Sequence, residues 1–242
     1  MSTKLKPLIA ITVESKHDPD DARTRGKIDL NWNYAQAIAD AGGVPLVIPP
    51  VADMSEVAGL IDGWLIPGGR DIDAANFGEE NHPACELQDP SRYAAEKALF
   101  EAADPNLPIL GICYGCQFLN VVRGGSLIQH LPDVPGADIH TGGPRQEYEV
   151  SDRSKLREVV QEDRISGVSY HHQAIKKPGG NIQIVAKSTD GTIEAIEATD
   201  RPWLIGVQWH PERTLESPES IRLFAKFVDS ARSYALRRQR SR

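Results

Sequence analysis

The chain has 242 residues, 40% hydrophobic and 25% charged, with 20 Gly and 17 Pro. That profile belongs to a folded globular protein and excludes collagen-like or low-complexity chains. The net charge of −7 argues against a nonspecific nucleic-acid binder. No apolar run reaches the roughly 18 residues of a membrane span, and the N-terminus lacks the apolar stretch of a signal peptide. A cytoplasmic protein is expected. Three cysteines, Cys85, Cys113 and Cys116, are too few and too odd in number for a disulfide framework.

The first half reads as strands alternating with helices. Leu8 to Val13 is a short apolar, β-branched run and therefore a buried strand. A polar loop from Glu14 to Lys27 leads to a helix from Asp29, its cap, to Ala41, ended by Gly42-Gly43. Val44 to Ile48 is a strand, and Asp53 with Glu56 has capping-box spacing for a short helix to Leu60. Trp64-Leu65-Ile66 forms a strand running into Pro67-Gly68-Gly69. After a long loop from Arg70 to Gln88, Asp89-Pro90 opens a helix that runs to Ala103. Pro108 to Ile112 is the next strand, and Gln117 to Arg123 a helix stopped by Gly124-Gly125. Such alternation implies parallel βαβ units and a sheet covered on both faces.

The second half is richer in strands: Glu147–Val150, Val168–His171, Ile182–Lys187, Ile193–Ala198 and Leu204–Trp209. A last amphipathic helix spans Ser217 to Leu236, with Ile221, Phe224, Phe227 and Val228 on one face. With no Ser-, Gly- or Pro-rich linker and no repeat, one domain is expected over residues 1–242, its core at about 7–228. The tail, 232–242, carries five Arg and no acid and reads as a solvated, frayed helix end.

Chemistry concentrates at Gly111-Ile112-Cys113-Tyr114-Gly115. This matches the G-x-nucleophile-x-G elbow with Cys as the nucleophile. A sharp strand-to-helix turn lifts the thiol above the sheet edge, and the helix N-terminus favours its thiolate. Two other readings attach to the same residues. One takes Cys113 as a small buried hydrophobe, and Cys113-Tyr114-Gly115-Cys116 has the C-x-x-C form of a redox pair. A zinc site is weaker, since no second Cys pair exists. A thiolate needs a base, and His210 in Gly206-Val207-Gln208-Trp209-His210-Pro211-Glu212 ends an apolar strand. That strand, as a parallel neighbour of the elbow strand, would bring His210 to the same sheet edge, with Glu212 as its orienting carboxylate. His171-His172 is the other candidate pair.

Residues 111–117 together with 206–212 resemble the class I glutamine amidotransferase superfamily. Ile66 to Ile72, Leu119 to Leu127 and Ser169-Tyr170-His171-His172-Gln173-Ala174 narrow the resemblance to its γ-glutamyl-γ-aminobutyrate hydrolase (peptidase C26) branch, covering about Pro7 to Val228. The resemblance implies a flavodoxin-like α/β fold: a three-layer sandwich with a mostly parallel central sheet, helices on both faces and added antiparallel strands. It implies Cys113 as nucleophile, His210 as base and Glu212 as its partner. The backbone N–H groups of Gly69 and Tyr114 would form the oxyanion hole. Gly68, Gln117, Tyr170, His171, His172 and Gln173 would line the substrate pocket.

One departure stands out. The residue after the nucleophile is usually Arg in that branch and is Tyr114 here, which bears on the choice of amine. Arg70 and Arg123 remain as anion partners. Cys116 is expected to pack behind the site, within reach of an oxidised Cys113, and Cys85 has no assigned role.

The expected reaction is hydrolysis of a γ-glutamyl amide, such as γ-glutamyl-GABA or a polyamine adduct, through a cysteine thioester. No metal or organic cofactor is required, and no Walker or Rossmann glycine pattern occurs. The resemblance further suggests a homodimer acting on a small molecule, without nucleic acid or membrane partners. Two other functions compete: a glutaminase feeding ammonia to a separate synthase, and an inactive γ-glutamyl-binding protein.

Overall fold

The computed structural model describes residues 5–240. In chain order the elements are β1 (Leu8–Thr12), β2 (Glu14–His17), β3 (Gly26–Asp29), α1 (Trp32–Asp40), β4 (Val44–Ile48), α2 (Met54–Leu60), β5 (Gly63–Ile66), α3 (Pro90–Ala102), β6 (Ile109–Ile112), α4 (Tyr114–Val121) and β7 (Ser126–Ile128). There follow β8 (Arg145–Val150), α5 (Lys155–Val160), β9 (Arg164–Val168), β10 (Ala174–Lys177), β11 (Ile182–Ser188), β12 (Ile193–Ala198), β13 (Leu204–Val207) and α6 (Pro218–Arg240).

One nine-stranded sheet runs in the order β4-β1-β5-β6-β13-β12-β11-β8-β9. The pairs from β4 to β13 are parallel and those from β13 to β9 antiparallel. Inside the edge strand β4, the parallel strands β1, β5, β6 and β13 are buried on both faces, and their side chains divide by the two-residue period of a strand. Ile9, Ile11, Leu65, Leu110 and Ile112 pack with α1, α5 and α6. Ala10, Trp64, Ile66 and Ile109 pack with α2, α3 and α4 on the opposite face. This is the three-layer α/β arrangement expected from the alternation of elements. No helix among the described residues is long and apolar enough to cross a membrane.

Several boundaries differ from the sequence reading. The stretch read as a polar loop after Glu14 holds the hairpin β2–β3. Its residues are mostly exposed, and the Asp21 carboxylate holds its turn by accepting from the Arg23 and Thr24 N–H groups. Hydrophobic periodicity cannot reveal a hairpin held by hydrogen bonds. Asp29 is therefore a strand residue paired opposite Glu14, not a helix cap, and α1 begins after Asn31. Asp53 and Asp89 do cap α2 and α3.

The strand expected over Val168–His171 ends at Val168. Beyond it, the Ser169 and His171 N–H groups donate to the loop carbonyls of Pro144 and His140, so the chain leaves the sheet there. Helix α5 and strands β7 and β10 have no counterpart in the sequence reading. Ile221 is half exposed, and Leu223 takes its place beside Phe224, Phe227 and Val228.

The basic tail is not frayed over its described part. Helix α6 continues to Arg240, and Arg238 donates to the Gly59, Leu60 and Ile61 carbonyls while pairing with Asp62 at 2.8 Å. A guanidinium at the C-terminal end of α2 satisfies carbonyls that have no helical partner. The rest of that tail, residues 241–242, lies outside the described residues.

Candidate active site

Cys113 stands between β6 and α4 with φ 51° and ψ −104°. A non-glycine residue there carries strain of order 1–3 kcal/mol. The flanking glycines are required by close approach: a Cβ at Gly115 would collide with the Ile66 carbonyl, and one at Gly111 with the Gly115 carbonyl. The backbone thus presses α4 against β5 and β6 and points the thiol at the C-terminal sheet edge. The Tyr114 N–H, first in the helix, has no intrahelical acceptor.

The base arrives by parallel pairing. Val207 of β13 lies opposite Ile112 of β6, and the Cys113 N–H donates to the Val207 carbonyl at 2.8 Å. The chain then continues to His210, whose Nδ1 lies 2.7 Å from Glu212 Oε1. Since the carboxylate can only accept, Nδ1 carries the proton and Nε2 is left for the cysteine. Both side chains are buried, at 7% and 1% exposure. Burial opposes the imidazolium, but the Cys113 sulfur and the Glu212 carboxylate outweigh it and raise His210 to about 10. A thiolate at Cys113 and the Glu212 carboxylate thus both favour the protonated ring.

The Pro67-Gly68-Gly69 turn closes the site. A Cβ on Gly68 would lie 3.1 Å from His210 Cε1 and 3.7 Å from Cys113 Cβ. Its N–H already donates to the Tyr34 hydroxyl at 3.0 Å, and that hydroxyl also interacts with the Glu212 carboxylate. The Gly68 N–H is thus engaged within the protein, and Gly69, the residue expected at the oxyanion hole, follows it at the exposed end of the turn. Beneath the turn, Arg92 donates to the Pro67 and Gly68 carbonyls at 2.8 and 3.2 Å and to Glu96 at 2.9 Å. The Tyr114 hydroxyl donates to the other Glu96 oxygen at 2.9 Å, and the Arg92 guanidinium lies 4.0 Å over the Tyr114 ring.

This geometry corrects the expectation for the Tyr114 side chain. It is fully buried and directed into the Arg92–Glu96 pair, so it cannot contact an amine in the pocket. Its backbone N–H keeps its place at the elbow.

Residues 7–212 match the Peptidase C26 family. The chain belongs to that family. Among its relatives, a Mycobacterium tuberculosis protein provisionally named a glutamine amidotransferase is 38% identical over 88% of this chain and 70% of its own length. The γ-glutamyl-γ-aminobutyrate hydrolase of Escherichia coli K12 is 31% identical over 87% of this chain and 89% of its own length. A solved structure from Thermoplasma acidophilum, provisionally named as part of a GMP synthase, shares the fold with a TM-score of 0.69 at 19% identity, covering 97% of this chain and 99% of that one. This Peptidase C26 chain is accordingly a glutamine amidotransferase-like hydrolase acting on an amide bond.

The remaining site residues of this Peptidase C26 chain separate into rim and wall. Tyr170 is at the rim: its ring meets the His210 ring edge-on at 5.8 Å, and Arg213 lies 4.0 Å above it. Gln117 is buried in the wall, its amide donating to the Gln173 carbonyl at 3.1 Å and to Gln208 Oε1 at 3.2 Å. The Gln173 amide donates to Cys85 Sγ and to the Gln129 carbonyl, which places Cys85 behind the pocket wall. His171 is turned inward, with Nδ1 on the Gln173 carbonyl and Nε2 facing Glu194. His172 faces Asp71 through Nε2 at 2.9 Å and His130 through Nδ1 at 3.1 Å. Its hydrogen bond to Asp71 is the main influence raising its pKa, with burial opposing it.

The two arginines kept as anion partners are engaged within the protein. Arg123, at the far end of α4, holds Asp200 at 2.7 Å, and Arg70 pairs with Glu14 at 3.1 Å. Cys116 is buried with its thiol against Gly206, and burial, then the nearby Cys113, pushes its pKa well up. All three cysteines are free.

Sequence reasoning missed Tyr34, Arg92 and Glu96. Arg92 and Glu96 stand at i, i+4 on α3 and read as an ordinary surface pair; only their burial reveals otherwise.

Proposed function

We propose that this chain hydrolyses the γ-glutamyl amide bond of a γ-glutamyl amine, releasing glutamate and the free amine. The observation that carries the reading is the juxtaposition of the strained Cys113 with the buried His210–Glu212 pair under the Gly68-Gly69 turn. The Cys113 thiolate attacks the γ-carbonyl carbon. The carbonyl oxygen becomes an oxyanion, met by the Gly69 and Tyr114 N–H groups, each worth about 3 kcal/mol to such a charge. His210 gives its Nε2 proton to the amine nitrogen as the C–N bond breaks, leaving a γ-glutamyl thioester. Neutral His210 then takes a proton from water, whose oxygen attacks the thioester and displaces the thiolate. Atoms and charge balance with water as the only co-reactant. The γ-glutamyl preference is supported by the Escherichia coli relative.

Arg213 lies over Tyr170, which meets the His210 ring, and its guanidinium is 3.7 Å from Glu212 at one nitrogen, with its side chain about one-third exposed. A carboxylate on the amine half would find its partner there rather than at Tyr114.

The test is a panel of γ-glutamyl amines, with and without a terminal carboxylate, presented to the wild-type chain and to Cys113→Ala. Turnover by the wild type and its loss in the variant, with a γ-glutamyl adduct trapped on Cys113, is the expected result. Hydrolysis that survives in Cys113→Ala would overturn the assignment. Ammonia release from glutamine only when another protein is added would favour the glutaminase reading instead.

A further inference from the structure

Behind the pocket wall, on the antiparallel side of the sheet, lies a cluster the reaction does not use. His140, from the loop before β8, His171, from the segment after β9, and Glu194 of β12 are all buried, with side-chain exposures of 0%, 2% and 0%. Their facing ligand atoms lie within 4.8 Å of one another.

Hydrogen bonding fixes the proton positions. The Asp190 carboxylate accepts from the Ser188 hydroxyl and from the Asp138 and Thr192 N–H groups, so its oxygens act as acceptors. An ionised carboxylate only accepts, so His140 Nε2, at 2.9 Å from Asp190, carries the hydrogen. A backbone carbonyl also only accepts, so His171 Nδ1, at 2.9 Å from the Gln173 carbonyl, carries its hydrogen too. In the neutral imidazoles, His140 Nδ1 and His171 Nε2 are then bare lone pairs. Ser169 Oγ does not fill the first, since its single hydrogen goes to the His140 carbonyl at 3.0 Å.

Both lone pairs face the same atom, Glu194 Oε1, at 3.3 Å and 3.5 Å. Two lone pairs turned toward a carboxylate oxygen repel it unless positive charge sits between them. The Glu194 oxygens and His171 Nε2 are buried without a hydrogen-bond partner. A divalent cation meets that requirement. Zinc–nitrogen and zinc–oxygen bonds of about 2.1 Å in a tetrahedron give ligand–ligand edges of about 3.4 Å; the two edges to Glu194 match this, and the two ring nitrogens, in a set that spans up to 4.8 Å, must draw together as the ion enters. The Asp190 carboxylate on His140 and the Gln173 carbonyl on His171 are the outer partners that orient metal-binding imidazoles.

We propose that His140 Nδ1, His171 Nε2 and the Glu194 carboxylate form a structural zinc site that ties the loop before β8 and the pocket wall to β12. The site is separate from the cysteine chemistry and does not depend on the γ-glutamyl reading. The rival occupant is a pair of protons on the two rings.

The experiment uses the full chain carrying Cys113→Ser, which removes the reactive thiolate as a competing zinc ligand. Protein stripped with chelator is loaded with zinc, desalted, and its metal measured; cobalt(II) is loaded in parallel. The expected result is about one zinc retained per chain, tetrahedral cobalt absorption bands, and a rise in Tm of about 5 °C or more with zinc. All three should disappear in Glu194→Gln, a near-isosteric change, and persist in His130→Ala, which removes the half-buried His130–His172 pair. Absence of zinc retention by the stripped Cys113→Ser chain would overturn the site in favour of protons. Retention unchanged in Glu194→Gln, or lost in His130→Ala, would place the metal elsewhere and overturn it equally.

Discussion

Two buried triplets built from the same three kinds of group flank the Pro67-Gly68-Gly69 turn. On one side His210, Glu212 and Tyr34 adjoin Cys113; on the other Arg92, Glu96 and Tyr114 lie beneath the loop. Each has a cation, a carboxylate and a phenol, and each touches the turn: Tyr34 accepts its N–H, and Arg92 donates to its carbonyls. The cation makes the difference. A guanidinium stays charged and offers donors only, so Arg92 can hold a loop but move no proton. An imidazole has one nitrogen to be oriented and a second to give and take a proton. The same architecture is thus a clamp on one side and an acid–base device on the other.

The comparison breaks most sharply at Glu212. Glu212→Gln keeps the shape of the side chain but removes the charge that stabilises the His210 imidazolium. A loss of about 10²–10⁴-fold in kcat/KM is expected. With His210 raised to about 10 in the folded protein, activity that needs its proton for the leaving amine holds below that value and falls as pH rises through it. Removing Glu212 should lower the His210 pKa and move this alkaline limb to lower pH. Stability follows the same sign: the contribution of a group raised above its unfolded value near 6.5 is complete below 6.5 and is lost as pH climbs toward 10. A pH–rate profile of both proteins checks the shift, and an unmoved limb would show that Glu212 does not charge the base.

On the clamp side the corresponding change is Glu96→Gln. Arg92 would then be a fully buried cation without its carboxylate, at a cost of about 3–5 kcal/mol. The expectation is a large fall in Tm or in the denaturant midpoint, with kcat/KM at a permissive temperature reduced far less than in Glu212→Gln and the pH–rate limbs unmoved. A pH–rate limb that shifted in Glu96→Gln would erase the distinction between clamp and catalytic device.

The two triplets also differ in how far the sequence discloses them. His210 and Glu212 sit in one heptapeptide after an apolar strand, and Cys113 between two glycines. Local pattern and the parallel register of neighbouring strands suffice to bring them together. Arg92, Glu96 and Tyr34 come from helices whose charged and aromatic residues read as solvated faces, and only tertiary packing buries them. The same limit explains the Tyr114 side chain. Its position beside the nucleophile is legible, but its direction is set by the elbow's positive φ and by Arg92, which no short motif encodes. The hairpin β2–β3 and the docked end of α6 escaped for a related reason: hydrogen bonds from Asp21 and Arg238 fix them, not an apolar period.

The smallest effects separate the two phenols. Tyr34→Phe deletes the acceptor of the Gly68 N–H and the contact to Glu212, leaving one half-buried donor without its partner at about 1 kcal/mol. Because that donor belongs to the turn facing Cys113, part of the loss should appear in kcat, about 3-fold, with KM little changed. Tyr114→Phe deletes one hydrogen bond to Glu96 but leaves the Arg92–Glu96 pair and every contact of the turn in place. About 1 kcal/mol of stability and an almost unchanged kcat are expected. Steady-state kinetics and urea unfolding on the two variants make the comparison, and equal kcat losses would mean that both phenols act on the turn in the same way.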